Sequence, residues 1–160
     1  MHPISLIIVD DEEAFTETLA ARLGKRGCVV KTALDGATAV RQVEEDHAIE
    51  VAVLDIAMPG MDGIETLGAM KKANPLLEVI MLTGQGTVHT AVESIKLGAY
   101  NYLGKPCKIE DLIAYIEEAA SQRRERETKI LEVRMRPFIT DEKRKALIAA
   151  ILRGEDPGEE

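Results

Sequence analysis

The chain has 160 residues, enough for one domain with a short appendage. Its 46 % apolar share includes only 3 % aromatics and no Trp, so the core must come from Val, Ile, Leu, Ala and Met. The net charge of −8 divides as −9 over residues 1–120, +5 over 121–153 and −4 over 154–160, so phosphates repel the main body and only the basic stretch could attract nucleic acid. No apolar run approaches the ~18 residues of a membrane span, and the N-terminus MHPISLIIVDD lacks the basic region of a signal peptide. Two distant cysteines, Cys28 and Cys107, suit neither a metal site nor a disulfide scaffold, which points to a reducing, cytoplasmic setting.

Five short apolar runs are each followed by a helical pattern. Ser5–Val9 is the first predicted strand, and it runs into Asp10, Asp11, Glu12 and Glu13. Acids suit the first turn of a helix, which covers Glu12 and Glu13. Asp10 and Asp11 sit where the strand stops. Carboxylates ~4 Å apart repel by roughly 4 kcal/mol at an effective dielectric of 20, so something positive is expected beside them. Phe15, Leu19 and Leu23 then form a helical stripe ending near Gly24 and Gly27. Cys28–Ala33 is the second strand, and Asp35 is placed to cap a helix carrying Ala39, Val40 and Val43.

The third strand, Val51–Leu54, ends in Asp55 and the turn-rich loop IAMPGMDG. Ile64, Leu67 and Met70 mark a helix closed by Asn74-Pro75. The fourth strand, Val79–Leu82, ends in Thr83-Gly84, and Val88, Ala91, Val92 and Ile95 mark a helix stopped by Gly98. The fifth, Tyr100–Leu103, ends at Gly104-Lys105-Pro106, and Ile109, Leu112, Ile113 and Ile116 open a fifth helix. Continuously apolar strands alternating with helices predict a doubly wound α/β domain, a parallel sheet covered on both faces with right-handed crossovers.

In such a sheet chemistry gathers outside the carboxyl ends of the strands. Asp10, Asp11, Asp55, Thr83 and Lys105 all fall there. Oxygen-donor acids without His or thiolate partners favour Mg²⁺, which keeps waters for a phosphoryl group. Lys105 would add a second positive charge. A carboxylate can itself be the nucleophile, forming an aspartyl-phosphate. Asp55, alone at its strand end, is the expected acceptor, with the adjacent Asp10 and Asp11 left for the metal.

VDDE at 9–12, VLDIAMPGMDGIE at 53–65, LTGQG at 82–86 and YLGKP at 102–106 make the chain resemble the receiver domain of a bacterial two-component response regulator over roughly residues 4–120. The resemblance implies a CheY-like five-stranded sheet of order 2-1-3-4-5 with five helices. It also implies Asp55 as phospho-acceptor, Asp10 and Asp11 with the main-chain carbonyl of Ala57 around Mg²⁺, and Thr83 and Lys105 on the phosphoryl group. Tyr102 matches the aromatic that swings inward on activation after Thr83 moves. Tyr100, two residues earlier, is expected to point the same way. A histidine kinase is the implied donor, and the face of helix four, strand five and helix five the implied readout. Ala57 and Gln85 occupy the positions that affect phosphoryl lifetime. Cys107 stands where a bulky apolar residue often follows Lys-Pro, so a packing difference is expected there.

Residues 121–153 form a predicted helical extension, and 154–160 an acidic tail expected to be disordered. The segment 121–136 could continue helix five. Its heptad positions are broken by Arg123 and Arg126 before Ile130 and Val133 resume, which leaves an interrupted coiled coil or a solvated single helix open. Thr140 caps a last helix with Ala146, Leu147, Ala150 and Ile151 on one side, a face needing a partner on this chain or another. About 40 residues are few for a DNA-binding output domain. The expectation is therefore a stand-alone receiver signalling to a downstream protein or phosphotransfer protein, with a homodimer possible through the helix four–helix five face or the extension. Rivals are a small DNA-binding regulator using the basic extension, and an aspartyl-nucleophile phosphohydrolase. Ala57, where such enzymes often place a second Asp, disfavours the latter.

Overall fold

The computed structural model describes residues 2–157. The chain runs β1 (Ser5–Val9), α1 (Glu13–Lys25), β2 (Val29–Ala33), α2 (Gly36–Glu45), β3 (Val51–Leu54), α3 (Gly63–Ala73), β4 (Glu78–Thr83), α4 (Val88–Lys96), β5 (Asn101–Gly104), α5 (Ile109–Met135) and α6 (Asp141–Leu152). All five strands are parallel, in the order β2-β1-β3-β4-β5. The order reverses between β1 and β3, so a crevice opens at their carboxyl ends.

Period-two alternation sorts the strands' side chains between two cores. Ile7, Val9, Ala52, Leu54, Val79 and Met81 face Leu67 and Met70 of α3 with Ala39 and Val43 of α2. Leu6, Ile8, Val51, Val53, Ile80 and Leu82 face Leu19 and Leu23 of α1 with Leu112 and Ile116 of α5. Burial on both faces explains why the central strands read as unbroken apolar runs. Edge strand β2 is half open and carries Lys31, whose ammonium meets Asp46 at 2.5 Å. Asp35, Asp62, Thr87 and Thr140 cap α2, α3, α4 and α6 through their side chains.

Two expectations change. Val88, Val92 and Ile95 on α4 are exposed, and Ser94 is that helix's buried residue. The Ser94 hydroxyl donates to the Thr90 carbonyl at 2.7 Å, so a small side chain with its own local partner faces inward. Tyr100 does not point with Tyr102. It lies before β5, outside the strand's alternation, and packs among the α1/α5 core with its hydroxyl 3.4 Å from Glu118, whereas Tyr102 packs on the α2/α3 core.

α5 continues unbroken through residue 120 to Met135. The arginines that interrupt its heptads reach the amino ends of β3 and β4. Arg123 donates to the His47 carbonyl at 3.0 Å, and Arg126 donates to Glu78 at 2.8 Å. Their neighbour Arg124 grips Glu50 with two bonds, at 2.7 and 3.0 Å. Beyond them Ile130 and Val133 pack against Ile151 of α6. Arg144 of α6 donates to the terminal α5 carbonyls of Val133 and Arg134 at 2.6 and 2.8 Å. The partner for the α6 apolar face is therefore on this chain. Residues 155–157 are in neither helix nor strand, and the rest of the predicted disordered tail, 158–160, lies outside the described residues.

The two glutamates respond to burial differently. Burial raises the Glu50 carboxyl, but the Arg124 hydrogen bonds and charge, with the Ser5 N–H, hold it below the ordinary 4.5. Burial pushes Glu78 above that value despite Lys71, Arg126 and Arg123. A lowered folded pKa gives stability that is present above 4.5 and lost as pH falls through the folded value. The Arg124→Met variant should therefore lose most stability near neutral pH, with the deficit shrinking at lower pH as Glu50 protonates, read by urea denaturation at both ends. Glu78 is only 2 % exposed, so Arg126→Met should cost about 3 kcal/mol at neutral pH, while Arg126→Met with Glu78→Met should recover much of it.

Candidate functional site

The switch point collects the acids. The Asp10 N–H donates to the Ala33 carbonyl at 3.2 Å and the Asp55 N–H to the Val9 carbonyl at 3.0 Å, which seats both residues just beyond their strands. Carboxylate oxygens of Asp10, Asp11 and Asp55 lie within 4.8 Å of one another. Asp10 and Asp55 are 2 % and 5 % exposed, while Asp11 faces solvent. Lys105, carried in from the end of β5, donates to Asp10 at 2.7 Å and lies 3.6 Å from Asp55. This ammonium is the positive charge that the acidic cluster required.

Burial raises the Asp10 carboxyl and the Asp55 charge adds to it, against the Lys105 contact and the Glu12 N–H. Lys105 is raised because the carboxylates of Asp10, Asp55 and Glu12 outweigh its own burial. Ionised Asp10 therefore still costs energy with one lysine beside it, and a hard dication among these oxygens would lower that cost. The donor set fits such an ion, since it offers carboxylate oxygen and no nitrogen or sulfur ligand. The Ala57 N–H donates to Asp55 Oδ1 at 3.3 Å, which orients the carboxylate.

Thr83 is buried at the end of β4, and its Oγ1 accepts the Gln85 N–H at 3.2 Å. The Lys105 N–H donates to the Thr83 carbonyl at 3.0 Å, which ties the two strand ends together. The Tyr102 hydroxyl is 3.0 Å from Thr90 Oγ1 on α4. A Cβ at Gly63 would meet the Asp55 carbonyl oxygen and come within 2.5 Å of Ile56 Cα, so the bare backbone there lets α3 start against the Asp55 peptide. Cys107 is half-buried, its thiol pushed up by burial, and its Sγ is 3.6 Å from the Lys108 carbonyl.

Three residues here carry roles not read from the sequence. The Phe15 ring lies beneath the Lys105 ammonium, 4.0 Å from centroid to Nζ. Periodicity marks Phe15 only as part of a helix stripe. Thr90 anchors the Tyr102 hydroxyl, and nothing local signals that. Gly86 had a signal in the second glycine of LTGQG: a Cβ there would overlap the Tyr102 hydroxyl and approach Thr83 Cγ2 to 3.0 Å. The imidazole of His89 is exposed, 3.9 Å from Glu93 and on the outer side of α4.

An open parallel sheet with carboxylates and a lysine meeting at its β1/β3 switch point defines a CheY-like doubly wound α/β domain. The family model for the response regulator receiver domain matches residues 6–117, and the chain belongs to that family. It is 36 % identical over 121 residues to a putative NtrX-like response regulator of Rickettsia typhi, a match covering 74 % of this chain and 25 % of that protein. The chain thus spans about a quarter of the length of the first curated relatives it matches. A CheY-like receiver domain protein of Methanospirillum hungatei superposes with a TM-score of 0.74 at 28 % identity, covering 77 % of this chain and 98 % of that one. The beryllofluoride-activated receiver domain dimer of NtrC4 gives 0.70 at 37 % identity, covering 74 % and 98 %. Among the described residues no helix is long and apolar enough to cross a membrane.

Gly86→Ala should displace Tyr102 and cost about 1–3 kcal/mol in urea denaturation. Gly86→Ala with Tyr102→Ala should be less destabilised than the two single substitutions sum to, because removing the ring leaves the new methyl nothing to strike.

Proposed function

We propose that the chain is a phosphorylation-activated response regulator that takes a phosphoryl group from a histidine kinase onto Asp55. The observation that carries this reading is the meeting of Asp10, Asp11, Asp55 and Lys105 at one strand-end crevice. An Asp55 carboxylate oxygen attacks the phosphorus of a phosphohistidine. The new P–O bond forms as the P–N bond breaks, and the electron pair leaves with the imidazole, which then takes a proton. Lys105 turns from Asp10 to a phosphoryl oxygen, and the Thr83 hydroxyl donates to another. Asp10, Asp11, Asp55 and the Ala57 carbonyl would hold Mg²⁺, which supplies positive charge for the transferring group.

Phosphorylation adds charge and acceptors at Asp55, drawing Thr83 toward them, and Tyr102 follows into the space that Thr83 leaves. Tyr102 is bonded to Thr90, so its movement reaches α4 directly. The exposed Val88, Val92 and Ile95 on that helix are the readout surface, for a downstream protein, a phosphotransfer protein or a second copy of the chain. NtrC4, whose activated receiver is a dimer, supports the last of these; the α5–α6 extension is the other candidate dimer surface. A cytoplasmic setting, where free thiols such as Cys28 and Cys107 persist, goes with this reading.

A DNA-binding role for the basic extension is the weaker reading. Arg123, Arg124, Arg126 and Arg144 are already committed to carboxylates or helix carbonyls of the chain itself. A phosphohydrolase is weaker still, because Ala57 has no acid or base to offer a leaving group.

Incubation with acetyl phosphate and Mg²⁺ should add one phosphoryl group by intact mass, and Asp55→Asn should take none. Modification of the Asp55→Asn chain at the wild-type rate would defeat the assignment. Without phosphate donor, Mg²⁺ at about 100 times its Kd should stabilise the wild type by about 2.7 kcal/mol, and Asp10→Asn should lose most of that shift.

A further inference from the structure

The Lys105 ammonium meets Asp10 at 2.7 Å, Asp55 at 3.6 Å and the face of Phe15, 4.0 Å from Nζ to the ring centroid. The first two are anions that any lysine at this strand end would find. The third is a neutral ring, and packing alone does not ask for it. The chain has two Phe, three Tyr and no Trp, and the core around Phe15 is otherwise built largely from Leu, Ile and Val. A Leu would fill this half-buried stripe position on α1 as well. The place of the ring is also fixed. The neighbouring Thr16 is buried and its Oγ1 donates to the Asp10 carbonyl at 3.2 Å, which ties the first turn of α1 to the acidic strand end.

A carboxylate and a ring hold an ammonium differently. Asp10 accepts along a short, directed hydrogen bond, which fixes Lys105 in one place. An aromatic face attracts a cation within about 6 Å of its centroid, so from 4.0 Å it keeps its hold through a shift of about 2 Å. Phosphoryl transfer to Asp55 requires such a shift, because Lys105 must leave Asp10 to reach a phosphoryl oxygen. The ring is the contact that need not be exchanged on the way. It also covers the ammonium from the α1 side, and the Lys105 side chain is 18 % exposed. An ammonium with less water around it attracts developing negative charge more strongly.

The geometry points to Phe15 as a positioning residue for phosphoryl transfer: its ring face holds the Lys105 ammonium at the crevice while that group passes from Asp10 to the phosphoryl oxygens. This role rests on Asp55 being the phospho-acceptor. It adds to the strand-end residues a requirement on α1, one that acts only through Lys105.

The test makes Phe15→Leu and Phe15→Tyr in the full chain and, separately, places mono-, di- and trifluorinated phenylalanine at position 15. Fluorination nearly keeps the ring's shape and adds apolar character, so a ring that only packs loses nothing. Attraction to a cation weakens with each fluorine, because the negative charge of the ring face is withdrawn. With acetyl phosphate and saturating Mg²⁺, an Asp55 oxygen attacks phosphorus and acetate leaves with the electron pair. Intact mass follows the rate. It should fall stepwise along the fluorinated series and by about three- to tenfold in Phe15→Leu, while Phe15→Tyr stays within about twofold of the wild type. In the metal-free chain, NMR of the Lys105 Cε methylene should show the upfield shift of protons over an aromatic face, and Phe15→Leu should abolish it. Equal rates across the fluorinated series, rates that follow stability in urea rather than fluorine number, or a Lys105 signal that ignores Phe15→Leu would overturn this role and leave Asp55 as the acceptor. A wild-type chain that takes no phosphoryl group would overturn both.

Discussion

The molecule is organised around one ammonium group set between two buried carboxylates. Lys105 reaches Asp10 at 2.7 Å and Asp55 at 3.6 Å, and without it the end of the sheet would hold like charges in a partly dehydrated crevice. The sheet makes this arrangement unavoidable. β1 and β3 pair in register from Leu6 with Val51 to Val9 with Leu54, so the next residue of each strand emerges at the same level. β4 and β5 pair up to Thr83 with Gly104, which delivers the hydroxyl and, one residue on, the lysine. Burial pushes the Asp10 carboxyl above its ordinary value, with the Asp55 charge adding a little, against the Lys105 contact and the Glu12 N–H. That leaves the crevice receptive to further positive charge.

The amino end of the same sheet shows a second electrostatic solution. Glu50 precedes β3, Glu78 opens β4, and both are buried and met by arginines from α5. These contacts are fully internal. They hold the long helix against the strand ends and let α6 fold back along it. The receiver and its extension are therefore continuous through α5, and a groove forms where Asn74–Leu76 meets the two extension helices.

Between the two ends, α4 is the least covered helix. It leaves Val88, Val92 and Ile95 in solvent and holds Tyr102 through Thr90. An apolar helix face with little packed on it can shift at low cost, because few contacts must be broken. Gly86 sits beneath the Tyr102 hydroxyl and keeps room for the ring on that side.

The residues by themselves determined the alternation of strands and helices, the parallel sheet, and the convergence of Asp10, Asp11, Asp55, Thr83 and Lys105. Apolar periodicity sets which backbone can be buried, and strand ends in such a sheet share one edge. β1 and β3 match their predicted limits, β2 differs by a residue at its start, and β4 and β5 differ by a residue at each end. What periodicity could not decide was which surface each face meets. The α4 stripe looks like a core stripe, yet it faces water. Arg123 and Arg126 look like breaks in a heptad, yet they answer Glu50's neighbourhood and Glu78 from more than forty residues away in sequence. Phe15 under Lys105, Thr90 on Tyr102 and the unpaired Asn74 amide are likewise products of packing. Local pattern reports what a side chain prefers, but only the folded chain brings its distant partner within reach.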